Sequence, residues 1–300
     1  MLAPGTRSSR MTLDDWHDSG HTFSYRQHAL FYRDDGAGET LVCIHGFPTA
    51  SWDWHKLWPA LTGHFRVVAL DMLGFGFSDK PRNHTYSLFT QATLHEVLLQ
   101  NLGLGDVHIL AHDYGDTVAQ ELLARQRKRQ AQNMAGLHLK SVCLLNGGIF
   151  PEAIRPRPIQ KVLQGPLGWL VGRMMTEGLF RKSFSAVFGP DTQPTDDDLE
   201  DFWDLITYND GVKIAHKISR YQKERRENRK RWVGALQRTT TPLRFVNGPL
   251  DPVSGEAMAA RYRQIIPDPD VVILDGIGHY PQVEAPEQVL EAFFSFIDRV

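Results

Sequence analysis

The most regular feature of this chain is a series of short apolar runs that recur along most of its length. They lie at 41–44, 67–70, 107–110, 142–145, 243–246 and 271–274. Their apolar residues are continuous, which is typical of strands buried on both faces of a parallel sheet. Helical stretches lie between them, at 53–62, 86–101, 115–128 and 255–265, and a last one runs from Pro286 to the C-terminus. With a strand pair at a sheet edge within 22–33, this order predicts an α/β fold with a mostly parallel sheet flanked by helices.

A long interval without a strand-like run separates the strand that ends near Asn146 from the strand that starts near Leu243. This interval carries helical patterns instead. Since a loop of that length without secondary structure is uncommon in a compact domain, we predict an inserted helical lid, or cap domain. The expected organisation is a core in two parts, 1–148 and 239–300, around a cap at 149–238.

Composition and charge exclude several classes of protein. The net charge of −2 gives no overall field that would attract nucleic acid, and no apolar run is long enough to span a membrane. Residues 1–10 are polar and lack the apolar centre of a secretory signal. Cys43 and Cys143 each lie in an apolar run, so we expect reduced packing residues, a reducing compartment and a cytoplasmic location.

The segment 111–115 reads Ala-His-Asp-Tyr-Gly and directly follows the apolar run at 107–110. A strand followed by a small residue, a nucleophile and a glycine in this spacing is typical of a nucleophile elbow, a sharp turn from strand to helix. The nucleophile here would be Asp113. A carboxylate is ionised at neutral pH and needs no base before it attacks. The alternative is an aspartate that only caps the following helix.

Two later loops supply the partners that such a nucleophile needs. His279 lies in a glycine-rich loop after the last strand and is the candidate base. Asp251 follows the strand at 243–246, and the chain order of nucleophile, acid and histidine favours it as the residue that orients His279. Glu256 and Asp275 are the alternatives for that acid.

The segment His45-Gly-Phe-Pro follows the first parallel strand. We predict an oxyanion hole formed by the backbone N–H groups of Phe47 and Tyr114, against the alternative of a plain loop. The residues beside these segments are predicted to line the substrate pocket: His45, Gly46, Pro48, His112 and Asn146.

These segments resemble the α/β-hydrolase family, in the branch with an aspartate nucleophile, which holds epoxide hydrolases and haloalkane dehalogenases. The resemblance extends from about residue 20 to the end. The segments 73–82, 112–116, 145–152, 187–190, 231–236, 248–253 and 279–282 are also similar to the mesoderm-specific transcript protein group. The resemblance implies an α/β-hydrolase fold and a covalent alkyl ester on Asp113.

The two activities of this branch differ in their leaving groups. Dehalogenases usually place a tryptophan directly after the nucleophile to hold the halide, whereas Tyr114 and Phe47 occupy the neighbouring positions here. Epoxide hydrolases protonate the ring oxygen with two lid tyrosines. Tyr221 is the candidate donor, because it shares a helical apolar stripe with Ile214 and Ile218 and its segment resembles that of an epoxide-hydrolase tyrosine. No tyrosine occurs at 147–207, so either Tyr208 is the second donor or one tyrosine suffices.

The sequence therefore predicts an epoxide hydrolase that converts a small, apolar epoxide into a vicinal diol without a metal or organic cofactor. The alternatives are a haloalkane or haloacid dehalogenase on the same residues, or a non-catalytic binding scaffold. The basic stretch 220–231 is interpreted as a solvated helix face, with contact to an anionic membrane as the alternative. We expect no nucleic-acid or membrane partner, and the oligomeric state is open.

Overall fold

The computed structural model describes residues 11–165 and 168–300, which build a sheet of eight strands in the order β1-β2-β4-β3-β5-β6-β7-β8. The strands are β1 (His21–Tyr25), β2 (His28–Asp35), β3 (Thr40–Ile44), β4 (Arg66–Leu70), β5 (Asp106–His112), β6 (His138–Leu145), β7 (Leu243–Asn247) and β8 (Val271–Ile273). β2 pairs antiparallel with β1 and β4, and the other neighbours are parallel. The predicted fold class is confirmed. The expectation for residues 1–10 lies outside the described residues.

The core lies on both faces of this sheet because successive side chains of a strand point to opposite sides. On β3, Val42 and Ile44 join one apolar cluster, whereas Leu41 and Cys43 join the other. All five residues of β3 are buried, but β8 is only half-buried because it ends the sheet. Cys43 and Cys143 are free thiols in this core, and burial raises their pKa.

Helices cover both faces. They are α1 (Leu13–Asp18), α2 (Trp58–Thr62), α3 (Leu88–Asn101), α4 (Tyr114–Ala131), α5 (Pro158–Gln164), α6 (Gly168–Met174), α7 (Glu177–Ser185), α8 (Asp196–Thr207), α9 (Ala215–Ile218), α10 (Tyr221–Glu227), α11 (Arg229–Arg238), α12 (Glu256–Ile265), α13 (Pro281–Glu284) and α14 (Pro286–Ile297). The single helix predicted at 53–62 is wrong: a 3-10 turn at Ser51–Trp54 precedes α2. Pro59 lies in the first turn of α2, where its missing N–H is tolerated, but it cannot continue a helix that starts upstream.

Residues 149–238, which we call the insertion, connect β6 to β7 and carry α5 to α11. Within its described residues, the insertion contains helices and turns but no strand. Two backbone hydrogen bonds join it to the loops of the core: Arg155 N–H donates to the Val253 oxygen at 2.9 Å, and His279 N–H donates to the Val187 oxygen at 2.8 Å. The insertion therefore lies over the carboxyl ends of the parallel strands, where ligands bind in this type of sheet.

None of the helices in the described ranges combines the length and the apolar character needed to cross a membrane.

Candidate active site

Asp113 lies at the sharp turn between β5 and α4, with φ 46° and ψ −100°. Such a positive φ is uncommon for a residue with a side chain and indicates backbone strain held by its surroundings. The turn also needs small neighbours. A Cβ at Gly115 would collide with the carbonyl oxygen of Ile44, and a Cβ at Gly46 would lie 3.1 Å from that of Asp113. The nearby glycines thus allow β3 and α4 to pack closely around a projecting carboxylate.

The carboxylate of Asp113 does not cap α4, although the residue occupies the N-cap position. Its Oδ2 instead accepts a hydrogen bond from the backbone N–H of Phe47 at 3.1 Å. Tyr114, whose N–H is the other predicted oxyanion-hole donor, is the first residue of α4. One carboxylate oxygen is therefore held by a backbone amide from the opposite loop, which is the arrangement that stabilises an oxyanion when charge develops there.

His279 and Asp251 form a buried pair, with 2.7 Å between Nδ1 and Oδ2. The structure thus joins the histidine to Asp251 rather than to the alternatives Glu256 and Asp275. Neighbouring groups also fix the carboxylate of Asp251: the Val253 N–H donates to Oδ1 at 2.7 Å, and the Ser254 hydroxyl donates to Oδ2 at 2.6 Å. Because Nδ1 is engaged by Asp251, the other ring nitrogen of His279 is left for the cavity that this residue lines.

The electrostatics of this pair are set by opposing effects. Burial lowers the pKa of His279, but the charge of Asp251, helped by that of Asp113, outweighs burial and raises it above its ordinary value. Burial likewise raises the pKa of Asp251, but the neighbouring His279 overcomes this effect and leaves it below its usual range. The pair is therefore held as imidazolium and carboxylate while Asp113 is charged.

Of the residues predicted to line the pocket, Pro48 does so, whereas His45, His112 and Asn146 are fully buried behind the site. Burial lowers the pKa of His45 to about 3, so its neutral ring accepts a hydrogen bond from the Met72 N–H and bonds the Gly46 oxygen through Nδ1.

His112 and Asn146 support the loops that carry the other candidate residues. The Nε2 of His112 lies 2.8 Å from the backbone oxygen of His279. Asn146 exchanges hydrogen bonds with the backbone of Gly248 and donates to Asp251 Oδ2 at 3.1 Å. Their prediction as pocket residues is thus corrected. His112 is the last residue of β5 and Asn146 directly follows β6, but both side chains are buried and hydrogen-bonded to the loops that carry the other candidate residues. Gly46 likewise lies against His112 and Asp113, where only a hydrogen atom fits.

A cavity of about 130 Å³ lies between the insertion and the core, and its floor includes Phe47, Pro48 and His279. Its walls are mainly apolar side chains of the insertion: Ile159, Leu163, Phe180, Phe184, Val187 and Ile206. Arg157, Gln160 and Ser183 add a polar edge. A mostly apolar space with few polar groups favours a small apolar substrate.

Tyr221 is buried against Phe47 and Tyr114, the two residues predicted to form the oxyanion hole. Its ring centroid lies 4.9 Å from that of Tyr114 and 5.8 Å from that of Phe47. The hydroxyl oxygen accepts a hydrogen bond from the Gln222 amide at 3.0 Å. Burial raises the pKa of Tyr221, and the charge of Asp113 raises it further, which keeps the phenol protonated at neutral pH.

Tyr208 does not join Tyr221 at the site. It is 39% exposed, and its ring packs on Phe77 at 5.2 Å and beneath the Lys80 ammonium at 4.9 Å. The helix α8 ends just before it, and Asn209 and Asp210 then take positive φ values that turn the chain. Tyr208 therefore lies in a surface turn, which spacing along the sequence did not indicate.

Sequence reasoning missed Arg225, which was placed on a solvated face of the basic stretch 220–231. Lys223 and Arg226 are indeed exposed, but Arg225 is only 2% exposed. Its Nη2 donates to the backbone oxygen of Asp113 at 2.8 Å and lies 3.6 Å from Oδ1, while its Nε donates to the Thr117 hydroxyl at 2.7 Å. The signal in the sequence was its position four residues after Tyr221, on the same helix face.

Among the residues that the structure describes, no group of three or more histidine, cysteine, aspartate or glutamate side chains is arranged to hold a metal ion.

Comparison with known proteins agrees with this geometry. The family model for the alpha/beta hydrolase fold matches residues 39–286. The mesoderm-specific transcript protein of Mus musculus is 46% identical over 298 residues, which cover 95% of this chain and 88% of that protein.

Two solved structures share the fold at 19% sequence identity. The haloalkane dehalogenase DatA from Agrobacterium tumefaciens C58 has a TM-score of 0.77 and matches 93% of this chain and 96% of its own. The epoxide hydrolase CorEH has a TM-score of 0.74 and matches 93% of this chain and 98% of its own. At this identity the likeness concerns the fold alone.

Proposed function

Because the chain belongs to the α/β-hydrolase fold family, we propose that it is an epoxide hydrolase that works through an ester on Asp113. The observation that carries the proposal is a carboxylate at a strained elbow, with one oxygen bonded to the Phe47 N–H, and with His279, which is paired with Asp251, lining the cavity that Phe47 also lines. Residues 149–238 would be the cap that closes this cavity over the substrate.

The first step opens the ring. Asp113 Oδ1 attacks an oxirane carbon, the C–O bond of the ring breaks, and its electron pair stays on the ring oxygen. That oxygen takes the proton of the Tyr221 hydroxyl, which leaves a hydroxyalkyl ester on Asp113 and a tyrosinate. Such proton donation is commonly worth roughly a hundred- to ten-thousandfold in rate.

The second step hydrolyses the ester. His279 takes a proton from water, and the resulting hydroxide attacks the carboxyl carbon of Asp113, whose oxygen then carries the negative charge near the N–H groups of Phe47 and Tyr114. Collapse of this intermediate expels the diol oxygen as an alkoxide, which takes the proton of the new carboxyl group, so that the carboxylate is restored and the diol is released. The proton on His279 then returns to the tyrosinate of Tyr221. Ester formation also removes the charge of Asp113, one of the causes that raise the pKa of His279. More of the histidine is thus in the neutral form at the step that needs a base.

The surroundings of the nucleophile favour an epoxide over a halide. A departing halide needs N–H donors from side chains, but the residue after the nucleophile is Tyr114, which is fully buried, and Phe47 offers an apolar ring to the cavity. An alkoxide needs an acid instead, and Tyr221 packs against both rings and is kept protonated by burial, which raises its pKa. One tyrosine would therefore carry the acid role.

The test replaces the base and traps the ester. The variant His279→Gln, treated with a panel of small apolar epoxides, should gain the full mass of the epoxide, and peptide mapping should place the adduct on Asp113. The control variant, Asp113→Ala with His279→Gln, should gain no mass.

The added mass also separates the two activities. An alkyl halide would add its own mass less that of the hydrogen halide, so an adduct of this kind, without one from any epoxide, would favour a dehalogenase. If neither class of compound gives an adduct, ester chemistry on Asp113 is refuted and the binding scaffold is favoured.

A further inference from the structure

Arg225 belongs to the insertion but is buried against the nucleophile elbow of the core. Its guanidinium bonds the backbone oxygen of Asp113 and the hydroxyl of Thr117, on the first turns of α4. It also lies over the ring of Tyr221, 4.5 Å from the centroid. A single side chain thus touches both the proposed nucleophile and the proposed acid.

The backbone is shaped to admit this side chain. A Cβ at Gly148 would collide with Arg225 Nη1, so the glycine leaves the space that the guanidinium fills. Burying a cation costs free energy unless it is paired and hydrogen-bonded. Since Arg226 on the same helix remains in solvent, the burial of Arg225 is specific to this position.

The position of the guanidinium matches the path of charge in the ring-opening step. The negative charge begins on Asp113, whose Oδ1 lies 3.6 Å from Arg225 Nη2. It ends on the phenolate oxygen of Tyr221, after the tyrosine has given its proton to the ring oxygen of the epoxide. A fixed cation between the two sites attracts the charge throughout its transfer and needs no rearrangement.

We propose that Arg225 is a positioning residue for ester formation. It fixes the position of the elbow relative to Tyr221, and its guanidinium stays beside the negative charge while that charge moves from Asp113 to Tyr221. This inference rests on the proposed function and adds to it a role for the insertion beyond covering the cavity. The competing explanation is a purely structural contact that fastens the insertion to the core.

The kinetic test measures ester formation alone, in the His279→Gln background, by rapid quenching and intact mass spectrometry. Arg225→Gln should lower the maximal rate about a hundredfold, the usual cost of slightly misplaced reacting groups, and leave the epoxide concentration for half-maximal rate unchanged, because Arg225 does not line the cavity. Arg225→Lys should recover part of the rate, because it keeps the charge. The matched control Arg226→Gln should behave as the parent.

Two outcomes would overturn the inference. One is a rate for Arg225→Gln equal to that of Arg226→Gln. The other is a parallel loss of rate and of apparent affinity that Arg225→Lys does not relieve, which would leave a structural contact only. Gly148→Ala gives an independent check, since it displaces the guanidinium without removing its charge, and it should also slow ester formation.

A second measurement needs no substrate. Hydrogen exchange in Arg225→Gln should be faster than in Arg226→Gln at amides 113–117 and 221–225, with the rest of the sheet unchanged. If the parent forms no ester with any epoxide but this local change is seen, the epoxide proposal fails while the positioning of the elbow by Arg225 stands. If exchange at these amides is the same in both variants, the inference fails even where epoxides react.

Discussion

At the scale of single residues, Asp116 is a buried carboxyl group one helical turn after Asp113, the proposed nucleophile. It is fully buried, and neither of its oxygens has a hydrogen-bond partner of good geometry. Burial raises its pKa well above the ordinary value, and the charge of Asp113 raises it further, against a smaller lowering by Arg225. Burial therefore disfavours the charged form of Asp116.

Replacing Asp116 with Asn should not destabilise the protein at neutral pH. A carboxyl group whose pKa is raised by folding stabilises the folded state fully at pH values below its ordinary pKa of 3.8. This contribution is lost as the pH rises through the pKa that the group has in the folded state. The amide keeps the shape without this loss. Thermal unfolding from pH 4 to 8 should show the melting temperature of Asp116→Asn rising relative to the parent as the pH increases. The exposed control Asp298→Asn should follow the parent, and a uniform fall in Asp116→Asn would show that the carboxyl group is needed.

The pH dependence of ester hydrolysis should report His279. The step needs a neutral imidazole, so the rate should fall as the pH drops through the pKa of His279, which Asp251 raises above 6.5 against the effect of burial. Stopped-flow decay of a preformed ester gives this profile. Asp251→Asn should move the acidic limb to lower pH and slow the step, and a limb that does not move would mean that another group is the base.

Residue roles were predictable from the sequence only where a motif fixes them. Asp113, Asp251 and His279 follow strand ends in a known order, and the structure brings them to one place. Asn146 and His112 follow strand ends too, but whether such a side chain faces a cavity or a neighbouring loop depends on contacts distant in sequence. The burial of Arg225 was not predictable, because the exposed residues Lys223 and Arg226 beside it are basic as well.

At the scale of elements, the strand-to-helix turn between β5 and α4 depends on Gly115, above which the carbonyl oxygen of Ile44 leaves no room for a methyl group. The short apolar strands were predictable because burial on both faces dictates their composition. The break between the 3-10 turn at Ser51–Trp54 and α2 was not predictable in this way, because it depends on a single residue, Pro59.

Gly115→Ala should therefore destabilise the fold. Overpacking of this kind typically costs about 1–3 kcal/mol, because backbone atoms must move to admit the new carbon. Urea unfolding at equilibrium measures the change. Gly105→Ala is the matched control, because a Cβ there meets nothing within 4 Å. Equal midpoints for the two variants would show that the turn is looser than its geometry indicates.

At the scale of the whole molecule, Glu284 joins the insertion to the loop that carries His279. Its Oε2 accepts hydrogen bonds from the Gly189 N–H at 2.8 Å, the Thr192 hydroxyl at 2.6 Å and the Gly278 N–H at 2.8 Å, and its Oε1 accepts one from the Tyr280 N–H at 2.9 Å. The existence of a helical insertion was predictable from the spacing of the strands. The contacts that attach the insertion to the core were not predictable, because they depend on side chains that meet only after folding.

Glu284→Ala should weaken the insertion and the His279 loop together. Losing this half-buried acceptor leaves several donors unpaired, at a cost of about 1–3 kcal/mol for each that stays buried. Thermal unfolding followed by circular dichroism should show a single transition at lower temperature, and ester hydrolysis should slow. The exposed Glu291→Ala is the control. A separate early transition would mean instead that the insertion unfolds on its own.

The space left by Gly148 for Arg225 has a consequence for engineering by recombination. A lid taken from another enzyme of this architecture could be grafted onto the present scaffold only if donor and recipient agree at this junction. An arginine from the donor would collide with the Cβ of a recipient that carries alanine at position 148. An insertion without the arginine would leave a void beside the carboxylate of Asp113. Libraries of chimeras should therefore be built so that both positions are inherited from the same parent.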